Sequence, residues 1–195
     1  MPASYSILRD DLDDRYCGIY DYLDELPDIE NPAEGIPTAD TFPDGVRFQM
    51  AAQTPGLLIA DVINNAFGYL MVSAKGKAFL EANAKASIEW LRFTLLNHKA
   101  RVASADCWIA NVLGTVDCVN LHHTKGEMSQ VDPGEFMSIT RLVLDPQRIP
   151  PDRNLFRIAS LPSVLIVRDD LRKAMEAAPL TGATFLELDT DVDLD

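Results

Sequence analysis

Two stretches of the chain, 95 residues apart, share one pattern of hydrophobic and polar positions. GYLMVSAKGKAFLEANAKASIEWLRF (68–93) aligns without a gap with SVLIVRDDLRKAMEAAPLTGATFLEL (163–188). Each begins with an apolar run, continues with apolar residues at helical spacing and ends in a segment of strand type. The pattern therefore predicts two repeated strand–helix–strand units. The identical positions are Leu70, Val72, Glu81, Ala82 and Leu91, which recur as Leu165, Val167, Glu176, Ala177 and Leu186.

Residues at the ends of the two predicted helices support this interpretation. Ser73 is a suitable N-cap for the first helix. Asp169 is expected to cap the second helix, and Asp170 adds negative charge near the positive end of its dipole. Pro179 and Gly182 end that helix. The polar differences between the units indicate that the repeat serves packing, with both helices covering a shared sheet.

The region between the units reads mainly as strands. Residues 107–121 predict two strands interrupted near Gly114, and 136–145 and 154–159 predict one strand each. Residues 122–135 are rich in turn formers and predict an exposed loop. The fold class expected is α+β, a mixed or antiparallel sheet carrying the helices. We expect one domain over residues 1–195, with an acidic, partly irregular segment at 1–50.

Negative charge is concentrated near the N-terminus. Residues 10–34 hold seven aspartates and three glutamates against one arginine, with tyrosines interleaved. One interpretation is a solvated, loosely structured arm. The other is a contact surface for a basic partner, since tyrosines beside carboxylates suit an interface. The candidate partner-binding residues are Asp10, Asp11, Asp13, Asp14, Tyr16, Tyr20, Tyr22, Asp24 and Glu25.

Overall composition narrows the classes of partner. The net charge of −13 would repel the phosphate backbone of a nucleic acid and attract basic proteins. No run of 18 apolar residues is present, so no membrane span is predicted. The first twenty residues lack the apolar stretch of a secretory signal. A cytoplasmic location is the expectation.

Cysteines and histidines give no strong catalytic or metal-binding pattern. Cys17, Cys107 and Cys118 are odd in number and lack CxxC spacing, which favours small buried hydrophobic side chains. The three histidines, His98, His122 and His123, are not accompanied by a GxSxG motif. Neither phosphate-binding motif, GxGxxG or GxxxxGK[ST], occurs, and DDLDD fails the EF-hand spacing. We therefore expect no catalytic residues, no cofactor and no metal.

An alternative stays open at this stage. Asp117, Cys118, His122 and His123 lie close together in the sequence and could bind zinc, although their spacing matches no strong signature. An enzyme of unrecognised type, perhaps metal-dependent, would use His122, His123 or Asp117. A third possibility is an assembly component that self-associates through the repeated units.

The order of the apolar segments resembles a known family. VSAKGKAFLEA, IEWLRF, CWIANVLGTVDCVNL, ITRLVLDPQRI and finally LFRI, VLIVRDDL and GATFLEL follow one another as in immunity protein family eleven of bacterial polymorphic toxin systems. Cys107-Trp108 and Asn111 partly match that family's aromatic pair and asparagine. The resemblance covers residues 57–188 and leaves out the N-terminal acidic segment.

This resemblance implies a non-enzymatic inhibitor that binds a cognate toxin and protects the producing cell. A polymorphic toxin delivered by type VI secretion is the context it implies. If the toxin is a nuclease, its basic nucleic-acid groove would be a target for an acidic inhibitor. The alternative mode is binding away from the toxin's active site.

Overall fold

Sheets dominate the computed structural model, which describes residues 4–21, 23, 26, 28 and 30–195. Among these residues the helices are α1 (Asn31–Glu34), α2 (Ala74–Asn83) and α3 (Asp169–Ala177), and Pro146–Arg148 forms a 3₁₀ turn. The strands are β1 (Tyr5–Asp10), β2 (Gly18–Ile19), β3 (Arg47–Gln49), β4 (Val62–Asn65), β5 (Met71–Ser73), β6 (Ile88–Leu96), β7 (Val102–Val112), β8 (Thr115–Val116), β9 (Lys125–Met128), β10 (Phe136–Arg141), β11 (Leu155–Ile158), β12 (Leu161–Arg168) and β13 (Ala183–Glu187).

The described strands form three sheets. One has the order β13-β1-β12-β11-β8, another β2-β4-β5-β7-β6-β3, and β9 and β10 form a separate pair. Most neighbours are antiparallel, but β8–β11, β2–β4 and β3–β6 are parallel. The protein is thus a mixed α+β fold, and the prediction of one shared sheet is wrong.

The aligned segments lie in different sheets. The first contributes β5, α2 and β6, with β7 between its two strands, and the second contributes β12, α3 and β13, with β1 between them. Ser73 caps α2 by accepting a hydrogen bond from the Gly76 N–H, as predicted. Arg168, not Asp169, occupies the N-cap of α3, so that expectation is wrong. That the two segments are repeated units stays a prediction.

The apolar residues pack into three clusters. In β12, Val164 and Ile166 point into one cluster while Leu165 and Val167 point into another, because side chains alternate between the faces of a strand. This second cluster also receives Leu80 from α2 and residues of both large sheets, so it joins them. The third cluster lies on the other face of the six-stranded sheet and is built around phenylalanines such as Phe48 and Phe93.

The N-terminal residues contribute to this core. β1 lies between β12 and β13, with Ile7 opposite Ile166, and Ile7 is fully buried. Cys17 and Ile19 are also fully buried. Residues 125–128, predicted within an exposed loop, form β9, whose side chains are exposed although its backbone pairs with β10. A single domain over residues 1–195 stays a prediction.

Asp61 connects the two large sheets. Its carboxylate accepts hydrogen bonds from Ser73 Oγ (3.0 Å), Lys75 Nζ (2.8 Å), the Thr181 N–H (3.0 Å) and Thr181 Oγ1 (3.1 Å). Burial would raise the pKa of Asp61, but these hydrogen bonds lower it below the ordinary value. The neighbouring Gly182, at φ +79°, admits no side chain, since a Cβ there would lie 2.0 Å from the Val62 carbonyl oxygen.

Candidate partner-binding surfaces

Several carboxylates of the predicted acidic contact surface form hydrogen bonds or ion pairs within the protein itself. Asp13 pairs with Arg15, whose Nη2 lies 2.6 Å from Oδ2, and the hydrogen bonds from Arg15 lower the pKa of Asp13 to about 2. Asp10 accepts a hydrogen bond from the Asn65 N–H, and Asp11 accepts one from the Asp13 N–H. These carboxylates thus hold the chain around β1 in place.

Other members of the predicted set differ in their exposure. Asp14 is exposed and lies two residues after Leu12, whose side chain is 75% exposed. Tyr16 is half-buried, forms a bridge with Leu58 and lies beneath the Arg15 guanidinium, 5.8 Å from its ring centroid. Asp14 is therefore the carboxylate best placed to meet a partner. Tyr20 is half-buried, and Tyr22, Asp24 and Glu25 lie outside the described residues.

A second acidic surface lies beside α1. Glu30, Glu34 and Glu135 line a cavity of about 270 Å³. Burial raises the pKa of Glu34, and the charges of Glu30, Glu135 and Asp132 raise it further. Carboxylates that raise one another's pKa favour a nearby cation. The sequence showed these charges but not that residues 30–34 and 132–135 lie close together.

A cluster of tryptophans and charged side chains covers one face of β6 and β7. Lys77 Nζ lies 5.0 Å from the Trp90 ring centroid and 4.7 Å from that of Trp108, within cation–π range. Arg92 is directly opposite Trp108 in the β6–β7 register. We call this surface the tryptophan cluster; its members are Lys77, Glu81, Trp90, Arg92, Asp106 and Trp108.

The polar groups of the tryptophan cluster hold its rings in place while leaving charge accessible. Trp108 Nε1 donates a hydrogen bond to Asp106 Oδ1 at 2.9 Å, and Arg92 Cζ lies 5.7 Å from the Trp108 ring centroid. The Arg92 and Asp106 side chains are 59% and 54% exposed. Tryptophan and arginine are the residue types that contribute most to protein–protein binding energy. The sequence identified Trp90 as a strand residue and Trp108 as part of a partial family motif, but did not show that the two rings lie close together.

Asp117, His123 and His98, which were considered for metal or catalytic chemistry, contact other groups of the protein. Asp117 forms an ion pair with Arg148, and His123 Nδ1 lies 3.1 Å from Asn120 Oδ1. Nε2 of His98 approaches the carbonyl oxygens of Ala51 and Thr54. In the part of the chain that the structure describes, no group of three His, Cys, Asp or Glu residues is arranged to hold a metal ion.

All three cysteines are free and fully buried, which confirms that they are small core side chains. Burial raises the pKa of Cys17 to about 11 and that of Cys118 to about 12. Since the thiolate is the reactive form, neither group is prepared for nucleophilic chemistry near neutral pH.

Arg157 is a buried cation that the sequence did not reveal. It is fully buried on β11, and burial lowers its pKa to about 10. Nη1 donates to the Pro162 carbonyl (2.8 Å) and Nη2 to the Pro32 carbonyl (2.9 Å). Its contacts tie α1 to the start of β12, which is a structural role.

These surfaces present charged side chains beside partly exposed aromatic rings. Residues 9–190 match the model of the immunity protein family (Imm11), and the chain belongs to that family. A search of curated proteins finds no significant match.

The family match extends further than the motifs indicated. It begins at residue 9 and so includes the acidic segment 10–34, which means that the range of 57–188 was too short. Membership suggests a toxin-neutralising immunity protein. No helix among the described residues is long and apolar enough to cross a membrane.

Proposed function

We propose that this protein neutralises a cognate toxin by stoichiometric binding and performs no chemistry of its own. The single observation that carries the proposal is the family match over residues 9–190. Asp117 pairs with Arg148, His123 contacts Asn120, and the three cysteines are buried. These contacts are consistent with a binding role.

The proposed partner has a basic surface. The net charge of −13, the exposed Asp14 and the acidic cavity beside α1 favour encounter with a positively charged protein. A nuclease toxin fits this description, because a nuclease needs cationic residues to hold phosphates. The same charge opposes direct binding of nucleic acid by this chain.

Binding is tested with candidate toxin domains taken from the genes adjacent to that of this chain. We expect a one-to-one complex by calorimetry and restored growth when the two are co-expressed. Absence of a complex at micromolar concentration, together with undiminished toxicity, would refute the proposal.

The acidic segment is tested by its effect on association. We expect Asp14→Lys to lower the association rate at low salt, and the difference from wild type to shrink at high salt. Asp152→Lys, an equal charge change at an exposed position outside that segment, is the matched control. Equal rates for both variants would remove the acidic segment from the proposed contact.

A further inference from the structure

One edge of β6 is only partly covered. β7 pairs along its whole length, but on the opposite side the three-residue strand β3 pairs only with Thr94–Leu96. Among the described residues, no strand covers this side between Ile88 and Phe93. An uncovered edge presents backbone N–H and C=O groups that a further strand can bond.

The register shows which backbone groups point outward. The Ala110 N–H donates to the Leu70 carbonyl, so the backbone of Ala110 faces β5. Trp90 lies directly opposite Ala110, and its own N–H and C=O therefore point away from β7. Arg92, two residues further on, has the same orientation, and the Thr94 N–H on this side donates to Val46. Trp90 and Arg92 thus offer two consecutive bonding positions.

A groove of about 550 Å³ runs along this edge. Its lining includes Phe42, Pro43 and Asp44 together with Trp90 and Arg92. The groove adjoins the tryptophan cluster, because Trp90 and Arg92 belong to both. It therefore combines backbone groups to which no backbone group of the described residues bonds with aromatic and charged side chains.

We propose that the open β6 edge at Trp90 and Arg92 binds an extended segment of the basic toxin as an added strand, in line with β3. The inference rests on the proposed function and names how the partner is held. Backbone hydrogen bonds would supply affinity, and side chains on the tryptophan-cluster face would supply specificity.

The negative charge of this protein favours a basic toxin segment over a second copy of the chain as the occupant of the groove. Asp44 lines the groove and is exposed, so its carboxylate is available to a cationic segment. A second copy carries the same net charge of −13 and would be repelled. About five extended residues, at roughly 3.3 Å each, cover the uncovered part of β6.

A proline substitution tests the backbone bond directly. Arg92→Pro removes an N–H that points away from β7, so the β6–β7 ladder is preserved. Arg92→Ala is the matched control, since it removes the same side chain and keeps the N–H. We expect Arg92→Pro to bind the neighbouring toxin domain roughly tenfold more weakly than Arg92→Ala. Equal affinity of two folded variants would overturn strand addition.

Hydrogen exchange provides a test on the unaltered protein. The amides of Trp90 and Arg92 should exchange rapidly in the free protein and at least about tenfold more slowly in the toxin complex. If the complex forms but these amides exchange as before, strand addition is wrong while the proposed function stands. If no complex forms, the proposed function itself fails. Protection that grows with protein concentration, without toxin, would instead identify a second copy as occupant and overturn the proposal.

Discussion

Replacing Asp61 by alanine should destabilise the protein by about 3 kcal/mol. The carboxylate is 10% exposed and joins the six-stranded sheet to the loop before β13 in the five-stranded sheet. The Thr181 N–H, on an exposed residue, would lose its part-buried hydrogen bond to the charged carboxylate, at about 1–2 kcal/mol. Loss of the bonds from Thr181 Oγ1 and Ser73 Oγ adds about 1 kcal/mol. The Lys75 side chain is 57% exposed, so its ion pair contributes at most about 1 kcal/mol.

Chemical and thermal denaturation at pH 7 measure this difference, and Lys75→Ala is the control. We expect the Asp61→Ala variant to unfold at a temperature about 6–12 °C lower than wild type. Lys75→Ala should lose about 1 kcal/mol or less. Equal losses in the two variants would show that the ion pair, and not the buried hydrogen bonds, carries the stabilisation.

The same residue predicts a pH dependence of known sign. The folded-state pKa of Asp61 is lowered, so its contribution is fully present above the unfolded-state value of about 4. It is lost as the pH falls through the lower folded-state pKa. The difference in the free energy of unfolding between wild type and Asp61→Ala should therefore decrease as the pH falls from 5 towards 2. A difference that stays constant over this range would refute the assignment.

Two further predictions concern buried groups. Arg157→Met should destabilise the fold by about 2 kcal/mol, because the carbonyls of Pro32 and Pro162 lose their hydrogen-bond donors. Removal of the buried charge offsets part of this loss. An unchanged free energy of unfolding in chemical denaturation would contradict this. Cys17 and Cys118, with pKa values of about 11 and 12, should resist a thiol reagent at pH 8 until the protein unfolds. Complete labelling of native protein within minutes would show that the thiols are accessible.

The sequence was sufficient to predict structural features that depend on residues only a few positions apart. Ser73 caps α2 because its side chain and the Gly76 N–H are three residues apart. Leu91 and Phe93, two residues apart in β6, lie on the same face and are 3% and 1% exposed, because side chains alternate between the faces of a strand. Asp169 failed as a cap because Arg168 already ends β12 and its extended backbone begins the helix.

Long-range pairing explains most of what the sequence did not reveal. β1 is a strand because Ile7 lies opposite Ile166, a partner about 160 residues away that no local pattern indicates. The polar residues of β9 form a strand because β10 pairs with them. The tryptophan cluster likewise depends on the β6–β7 register, which brings Arg92 opposite Trp108.

Net charge and backbone hydrogen bonds should affect different steps of the binding that we propose. Net charge acts over distance, so the acidic surface around Asp14 should govern the association rate and its dependence on salt. Backbone bonds at Trp90 and Arg92 form only after contact, so the β6 edge should govern the dissociation rate. Asp14→Lys and Arg92→Pro would then act on different rate constants and add in the free energy of binding, because the charge effect does not depend on the strand bond. A strong departure from additivity would mean that both residues belong to one contact.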